Sequence, residues 1–160
     1  MADLPFSDLD ATVADRDAVV FATAGLGGHY DEVDLRGADR LTAVVEDARV
    51  RRFALISASG AHDPSSWGAA YADYLTAKRD GEEAVKAHDL DWTAVRPASL
   101  GSGGGTGAVT LLTSPGGSGR IDHVDVARTV AAALERENTT GKSLELWSGE
   151  TPIAEAVAGV

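Results

Sequence analysis

Apolar positions along the chain follow two alternating patterns. Asp17–Ala24 (DAVVFATA), Arg52–Ala58 (RFALISA) and Asp91–Arg96 (DWTAVR) are short, nearly continuous apolar runs, which predict strands buried on both faces. Between the first two, apolar residues at 35, 38, 41, 44, 45 and 48 recur at helical spacing over Asp34–Arg49. The stretch Ser66–Pro97 reads as one long helix, a tight turn and the third strand, with Asp63-Pro64-Ser65-Ser66 as the helix start. Gly81 lies inside that helix, where glycine costs ~1 kcal/mol against alanine. Pro97 stops the strand.

The flanks are less regular. Ser7-Asp8-Leu9-Asp10 predicts a helix N-terminus within Leu4–Ala14. After Pro97, Gly101–Gly107 (GSGGGTG) reads as a flexible loop and Ala108–Thr113 as an edge or hairpin strand. Ser114-Pro115-Gly116-Gly117 is a turn, and Asp122 is expected to cap a helix over His123–Glu135. Leu144–Trp147 is a short strand and Pro152–Val157 a short terminal helix. With no repeat and no linker, residues 1–160 read as one domain, and strands alternating with helices imply a three-layer α/β/α fold with a mostly parallel sheet.

Composition narrows the partners. A formal charge of −11 and a pI near 4.6 argue against nucleic acid and against anionic membrane surfaces. No apolar run approaches the ~20 residues of a membrane-spanning helix. The acidic opening MADLPFSDLD is unlike a signal peptide, so a cytoplasmic protein is expected. The absence of cysteine excludes disulfides and thiol chemistry. The histidines at 29, 62, 88 and 123 lack ligand spacing, so no metal is expected.

One pair of residues suggests proton transfer. Tyr74 and Lys78 stand four apart on the central helix and leave its same face. An ammonium beside a phenol favours the phenolate, which would lower the Tyr74 pKa toward neutrality and suit it to acid–base work. In an open parallel sheet ligands bind outside the carboxyl ends of the strands. Thr23-Ala24-Gly25, Ser57-Ala58-Ser59 and Arg96-Pro97-Ala98-Ser99 collect there, small and hydroxylated as a flat ring and a substrate carbonyl require. Turn requirements alone also favour such residues at strand ends. The loop Gly25–Gly28 is not a phosphate cradle, because G-x-G-x-x-G begun at Gly25 meets Tyr30 at its last position. Trp67 is a candidate pocket wall, Asp122 and Asp125 are cap and first-turn charges, and Glu82, Glu83 and Lys86 form a solvated face.

The pieces DAVVFATAG, VRRFALISASGA, YLTAKRDGEEAVKAHDLDWTAVRPASL, GTGAVTL, IDHVDVARTVAAALE and GKSLELWSGETPIAEAV carry a resemblance in order and spacing. From about Asp3 onward the chain resembles the later part of an atypical short-chain dehydrogenase/reductase. The subgroup it is most similar to is that of NmrA-like, biliverdin/flavin-reductase-like NAD(P)-binding proteins. The resemblance implies a Rossmann-like domain that binds NADP or NAD. It implies Tyr74 as catalytic tyrosine, Lys78 as the ribose-holding lysine and Ser59 as the substrate-polarising serine, with Ser57 as runner-up. Thr23, Ala24, Gly25, Ser57, Pro97, Ala98 and Ser99 would line the nicotinamide. Ala98 stands where the family usually has glycine. The strand–GxxGxxG–helix unit with which the family begins is absent from the sequence, so the domain reads as N-terminally truncated, and Asp3-Leu4 reads as the end of the family's third strand.

Two readings follow. One is an NAD(P)H-dependent oxidoreductase acting on a small carbonyl or flavin-like substrate. The other is a non-catalytic binding, sensor or structural remnant of the same fold. In either case strand 17–24 is expected at a sheet edge, long, flat and apolar, covered by residues 3–14 or by a second copy in a homo-oligomer.

Overall fold

A computed structural model describes residues 9–25 and 27–160. In chain order it contains α1 (Leu9–Val13), β1 (Ala18–Phe21), a π-helical segment (Asp31–Arg36) that runs into α2 (Gly37–Asp47), and β2 (Arg52–Ile56). A 3₁₀ turn (Pro64–Trp67) precedes α3 (Ala69–Lys86), followed by β3 (Asp91–Pro97), β4 (Ser99–Gly101), β5 (Ala108–Leu112) and β6 (Arg120–Asp122). Next come α4 (His123–Leu134), a second 3₁₀ turn (Glu137–Thr139), β7 (Lys142–Ser148), β8 (Thr151–Pro152) and α5 (Ile153–Ala158). Among the described residues no helix is long and apolar enough to cross a membrane.

The main sheet has the order β1-β2-β3-β7-β5-β8. The first four strands run parallel, and β5 pairs antiparallel with both β7 and β8. Side chains alternate across the sheet and divide the core in two. Phe53, Leu55 and Ala94 pack with Val13, Val45 and Val85 on the side of α1, α2 and α3. Ala54, Val95, Leu144 and Leu146 pack with Val126, Val130, Ile153 and Val157 on the side of α4 and α5. The layers are those the alternation of periods implies. The chain is a Rossmann-like α/β/α domain.

Several local expectations are corrected. Strand 17–24 shrinks to four residues. It stands at the sheet edge as expected, but it is neither long nor buried on both faces, since Val20 is 44% exposed. Residues 1–8, including Asp3-Leu4 and the Ser7-Asp8 helix start, lie outside the described part. The long helix is split: Asp63-Pro64 starts a 3₁₀ turn, and Gly68 at φ 78° turns the chain before α3. Such a φ suits glycine, which has no Cβ to clash. β5 is an edge only in part, because the two-residue β8 pairs with its first two residues, Ala108 and Val109.

Two further corrections concern packing. A Cβ on Gly81 would overlap the carbonyl oxygen of Asp34, so this glycine permits close approach of α3 to the π-helical segment rather than being a weak point. The glycine loop after β4 is pinned rather than flexible. Asp122 accepts the N–H groups of Gly103 and Gly105 at 3.1 Å each, and Asp125 accepts those of Thr106 (2.7 Å) and Gly107 (3.1 Å). Asp122 occupies the N-cap position of α4 without a side-chain cap bond. Asp125 is buried, and these bonds with Arg128 outweigh its desolvation and hold its carboxyl below the usual range.

Candidate functional site

At the carboxyl ends of β1, β2 and β3 the strands open into a cleft of about 440 Å³. Its lining comes from the three predicted strand ends, including Thr23, Ala24, Ser57, Ser59, Pro97, Ala98 and Ser99, and from Tyr74 and Lys78 of α3. Gly25 stands behind this wall, its N–H donating to Asp34 Oδ2 at 2.8 Å. Trp67, Tyr71 and Leu100 form an exposed apolar mouth. Gly60, at φ 92°, has no side chain to displace the Trp67 indole that packs against it.

Lys78 does not behave as the spacing suggested. It is 4% exposed, and its ammonium is held by the protein. It donates to Thr23 O at 2.9 Å and Ile56 O at 3.0 Å and forms a 2.8 Å ion pair with Asp34 Oδ1. Two hydrogen bonds and one ion pair, the latter to an Asp34 Oδ1 that accepts no aligned hydrogen bond, let the lysine clamp the ends of β1 and β2 against the π-helical segment. A π-helical turn shifts the helical register locally, and this one holds Asp34 inward beneath the cleft.

Tyr74 is corrected accordingly. Lys78 Nζ lies 5.9 Å from the centre of the tyrosine ring, and Tyr30 packs edge-on against that ring at 5.5 Å. Burial, reinforced by the negative Asp34 and by Tyr30, pushes the phenol up to about 12 rather than down toward neutrality. Tyr74 therefore keeps its proton throughout the physiological range. It can donate but is a poor source of phenolate.

Behind Ser57 and Ser59 lies a buried ionic cluster. Arg96 of β3 donates to Glu82 of α3 at 2.8 and 2.7 Å, a bidentate pair, and to Glu145 of β7 at 3.4 Å. Ser143 adds a 3.1 Å bond to Glu82. Both glutamates are 1% exposed, which removes Glu82 from the solvated face assigned to it. Burial works to raise the Glu82 carboxyl, but the Arg96 guanidinium outweighs it and leaves this acid below its ordinary range. For Glu145 burial prevails over Arg96, and the carboxyl is raised. The Ser57 hydroxyl and Glu145 Oε2 are buried without a hydrogen-bond partner.

The sequence thus brings together every residue assigned to the cleft, with Gly25 one layer back. Asp34, Glu82, His62 and Glu145 were missed. Glu145 escaped because the alternation Leu144-Glu145-Leu146 reads as a strand with one polar face, whereas that face is covered here and Glu145 is buried. Asp34 gave no signal, because an ordinary helical period does not anticipate a π-turn. Among the described residues no group of three or more His, Asp or Glu could hold a metal ion.

The comparisons with known proteins agree with this geometry. The model of the NAD(P)H-binding family matches residues 2–137. The uncharacterized sugar epimerase YhfK of Bacillus subtilis is 38% identical over 146 residues, which cover 88% of this chain and 67% of that protein. A Bacillus halodurans structure assigned as an NAD-dependent epimerase/dehydratase superposes with a TM-score of 0.89 at 33% identity, over 94% of this chain and 73% of that one. The oxidoreductase ylbE of Lactococcus lactis does so with a TM-score of 0.86 at 29% identity, over 99% and 74%. A chain with these matches, and with its cleft at the switch between sheet and helices, belongs to the NAD(P)H-binding family and is an NAD(P)-binding, oxidoreductase-like protein.

Proposed function

We propose that this protein uses NADPH or NADH to reduce a small carbonyl or flavin-like substrate in the cleft at the ends of β1, β2 and β3. The observation that carries the reading is the placement of the Tyr74 and Ser59 hydroxyls in the lining of one cleft, where burial pushes the phenol up and keeps its proton on. The cleft fits the nicotinamide half of the cofactor: Ala24, Ala58, Pro97 and Ala98 give flat apolar walls, and the buried Thr23 Oγ1 has no hydrogen-bond partner. When bound, the reduced nicotinamide supplies the hydride. Tyr74 gives its proton to the substrate oxygen as negative charge develops there, and Ser59 steadies that oxygen with a hydrogen bond. Lys78 fixes the spacing of the cleft floor. Trp67, Tyr71 and Leu100 shed water from the mouth. The reading includes membership of the NmrA-like, flavin-reductase-like subgroup, a cytoplasmic setting and self-association through the β1 edge.

One observation favours the alternative of binding without catalysis. The Lys78 ammonium and the Gly25 N–H are both taken by the protein, so neither is free for the ribose or for phosphate. Titration with NADPH and NADH, followed by tryptophan fluorescence and then by cofactor oxidation with menadione or FMN, separates the two. Micromolar binding with turnover is expected. Tyr74→Phe is expected to keep the binding and lose about 100-fold or more of the turnover. No binding at millimolar cofactor, or undiminished turnover in Tyr74→Phe, would overturn the proposal.

A further inference from the structure

Tyr30 interrupts the glycine pattern begun at Gly25, and the cleft chemistry above gives it no role. It stands immediately before the π-helical segment and is partly buried. Its ring packs edge-on against that of Tyr74, with centroids 5.5 Å apart and planes at 64°. This arrangement sets the positive rim of one ring against the negative face of the other.

The segment that begins with Tyr30 meets α3 in three places. The Tyr30 ring meets Tyr74, the Asp34 carboxylate meets Lys78 at 2.8 Å, and the Asp34 carbonyl lies where a Cβ of Gly81 would fall. Positions 74, 78 and 81 are spaced i, i+4 and i+7, which places them on one stripe of the helix. Residues 30–34 therefore lie along α3 as a splint. The splint is itself anchored to the end of β1. A Cβ on Gly25 would overlap the His29 carbonyl and stand 2.8 Å from the Tyr30 Cα. The Gly25 N–H donates to Asp34 Oδ2 at 2.8 Å, and the Val33 N–H donates to His29 O at 3.1 Å. Of the three contacts with α3, that of Tyr30 bears on the Tyr74 ring directly.

We propose that Tyr30 is a positioning residue, whose ring holds the Tyr74 side chain in the one rotamer that lines the cleft. This rests on the reading of Tyr74 as the group that gives its proton to the substrate oxygen. On a helix a tyrosine χ1 has two open wells, near 180° and near −60°. A change of well swings the phenol oxygen away from its place in the cleft, and proton transfer needs that oxygen within hydrogen-bond reach of the substrate. A neighbouring ring, held by a splint that cannot give way, closes the second well. The Tyr30 hydroxyl has no part in this, so phenylalanine can replace Tyr30 and leucine cannot.

The test compares the wild-type chain with Tyr30→Phe and Tyr30→Leu. Nuclear magnetic resonance couplings that report χ1 are measured for Tyr74, with the exposed Tyr71 as reference for a free side chain. The wild type and Tyr30→Phe should give a single Tyr74 rotamer, and Tyr30→Leu should give an average. Menadione reduction with NADPH should lose about tenfold or more of its kcat in Tyr30→Leu, with the KM for NADPH level, and Tyr30→Phe should restore it. A single rotamer in Tyr30→Leu, or a loss as large in Tyr30→Phe as in Tyr30→Leu, would overturn the proposal. So would a rise in KM at unchanged kcat. An averaged Tyr74 in Tyr30→Leu, in a protein whose wild type reduces nothing, would support the positioning and overturn the reductase reading instead. If Tyr30→Leu does not fold, the wild type still decides: an averaged Tyr74, or no Overhauser contact between the two rings, would overturn the proposal.

Discussion

Replacing Asp34 by asparagine keeps the side-chain volume and removes the charge against which Lys78 is buried. The ion pair is 2.8 Å long, and neither side chain is more than 4% exposed. Removing one partner of such a pair leaves an uncompensated charge in a poorly solvated place and typically costs about 3–5 kcal/mol. Lys78 would keep its bonds to Thr23 O and Ile56 O, so the low end, ~3 kcal/mol, is the expected loss. For a chain of this size that corresponds to a melting temperature lower by roughly 6–12 °C.

The assay is denaturant unfolding followed by tryptophan fluorescence, run as a double-mutant cycle with Lys78→Met. If the two charges are held chiefly by one another, the double variant should be more stable than the sum of the singles implies, by about 2 kcal/mol. A loss below ~1 kcal/mol for Asp34→Asn, or singles that add within ~0.5 kcal/mol, would refute the pair as the clamp of the cleft floor.

Gly81→Ala should destabilise the fold by about 1–3 kcal/mol despite the better helix propensity of alanine, because the added Cβ meets the Asp34 carbonyl. Denaturant midpoints measure this, and a stabilised variant would contradict the close approach. Glu82, whose carboxyl the Arg96 pair holds below its ordinary value near 4.5, contributes stability that is present above that value. That stability disappears as pH falls through the depressed folded value. Thermal melts of Glu82→Gln should therefore show a flatter dependence on pH in the acid range than those of the wild type.

The three-layer fold was legible because its cause is periodicity. Runs such as RFALISA and DWTAVR have no polar face, and the helical stripe at 35–48 has one. Strand ends were legible for the same reason, and with them nearly the whole cleft lining. What escaped depends on side chains from distant segments meeting in the interior. Lys78 and Tyr74 share a helix face, yet that face meets Asp34 from an earlier segment, and the carboxylate draws the ammonium away from the phenol. Glu82 looked solvated beside Glu83 and Lys86, but Arg96 fourteen residues on draws it inward. The two aspartates at the start of α4 looked like helix-end charges, and they instead tie down the glycine-rich loop after β4.

The fate of Lys78 bears on the direction of any chemistry in the cleft. A lysine that faced the Tyr74 hydroxyl would stabilise the phenolate, and the site could then remove protons from an alcohol as readily as it supplied them to a carbonyl. Here the ammonium is neutralised by Asp34, and that same aspartate adds to the burial that holds the phenol at about 12. At neutral pH such a phenol is ionised in only about one molecule in 10⁵, so the structure favours an acid over a base by a wide margin. On the proposed reading, Tyr74 and Ser59, which line the same cleft, donate to an oxygen that gains negative charge, the oxygen of a substrate being reduced.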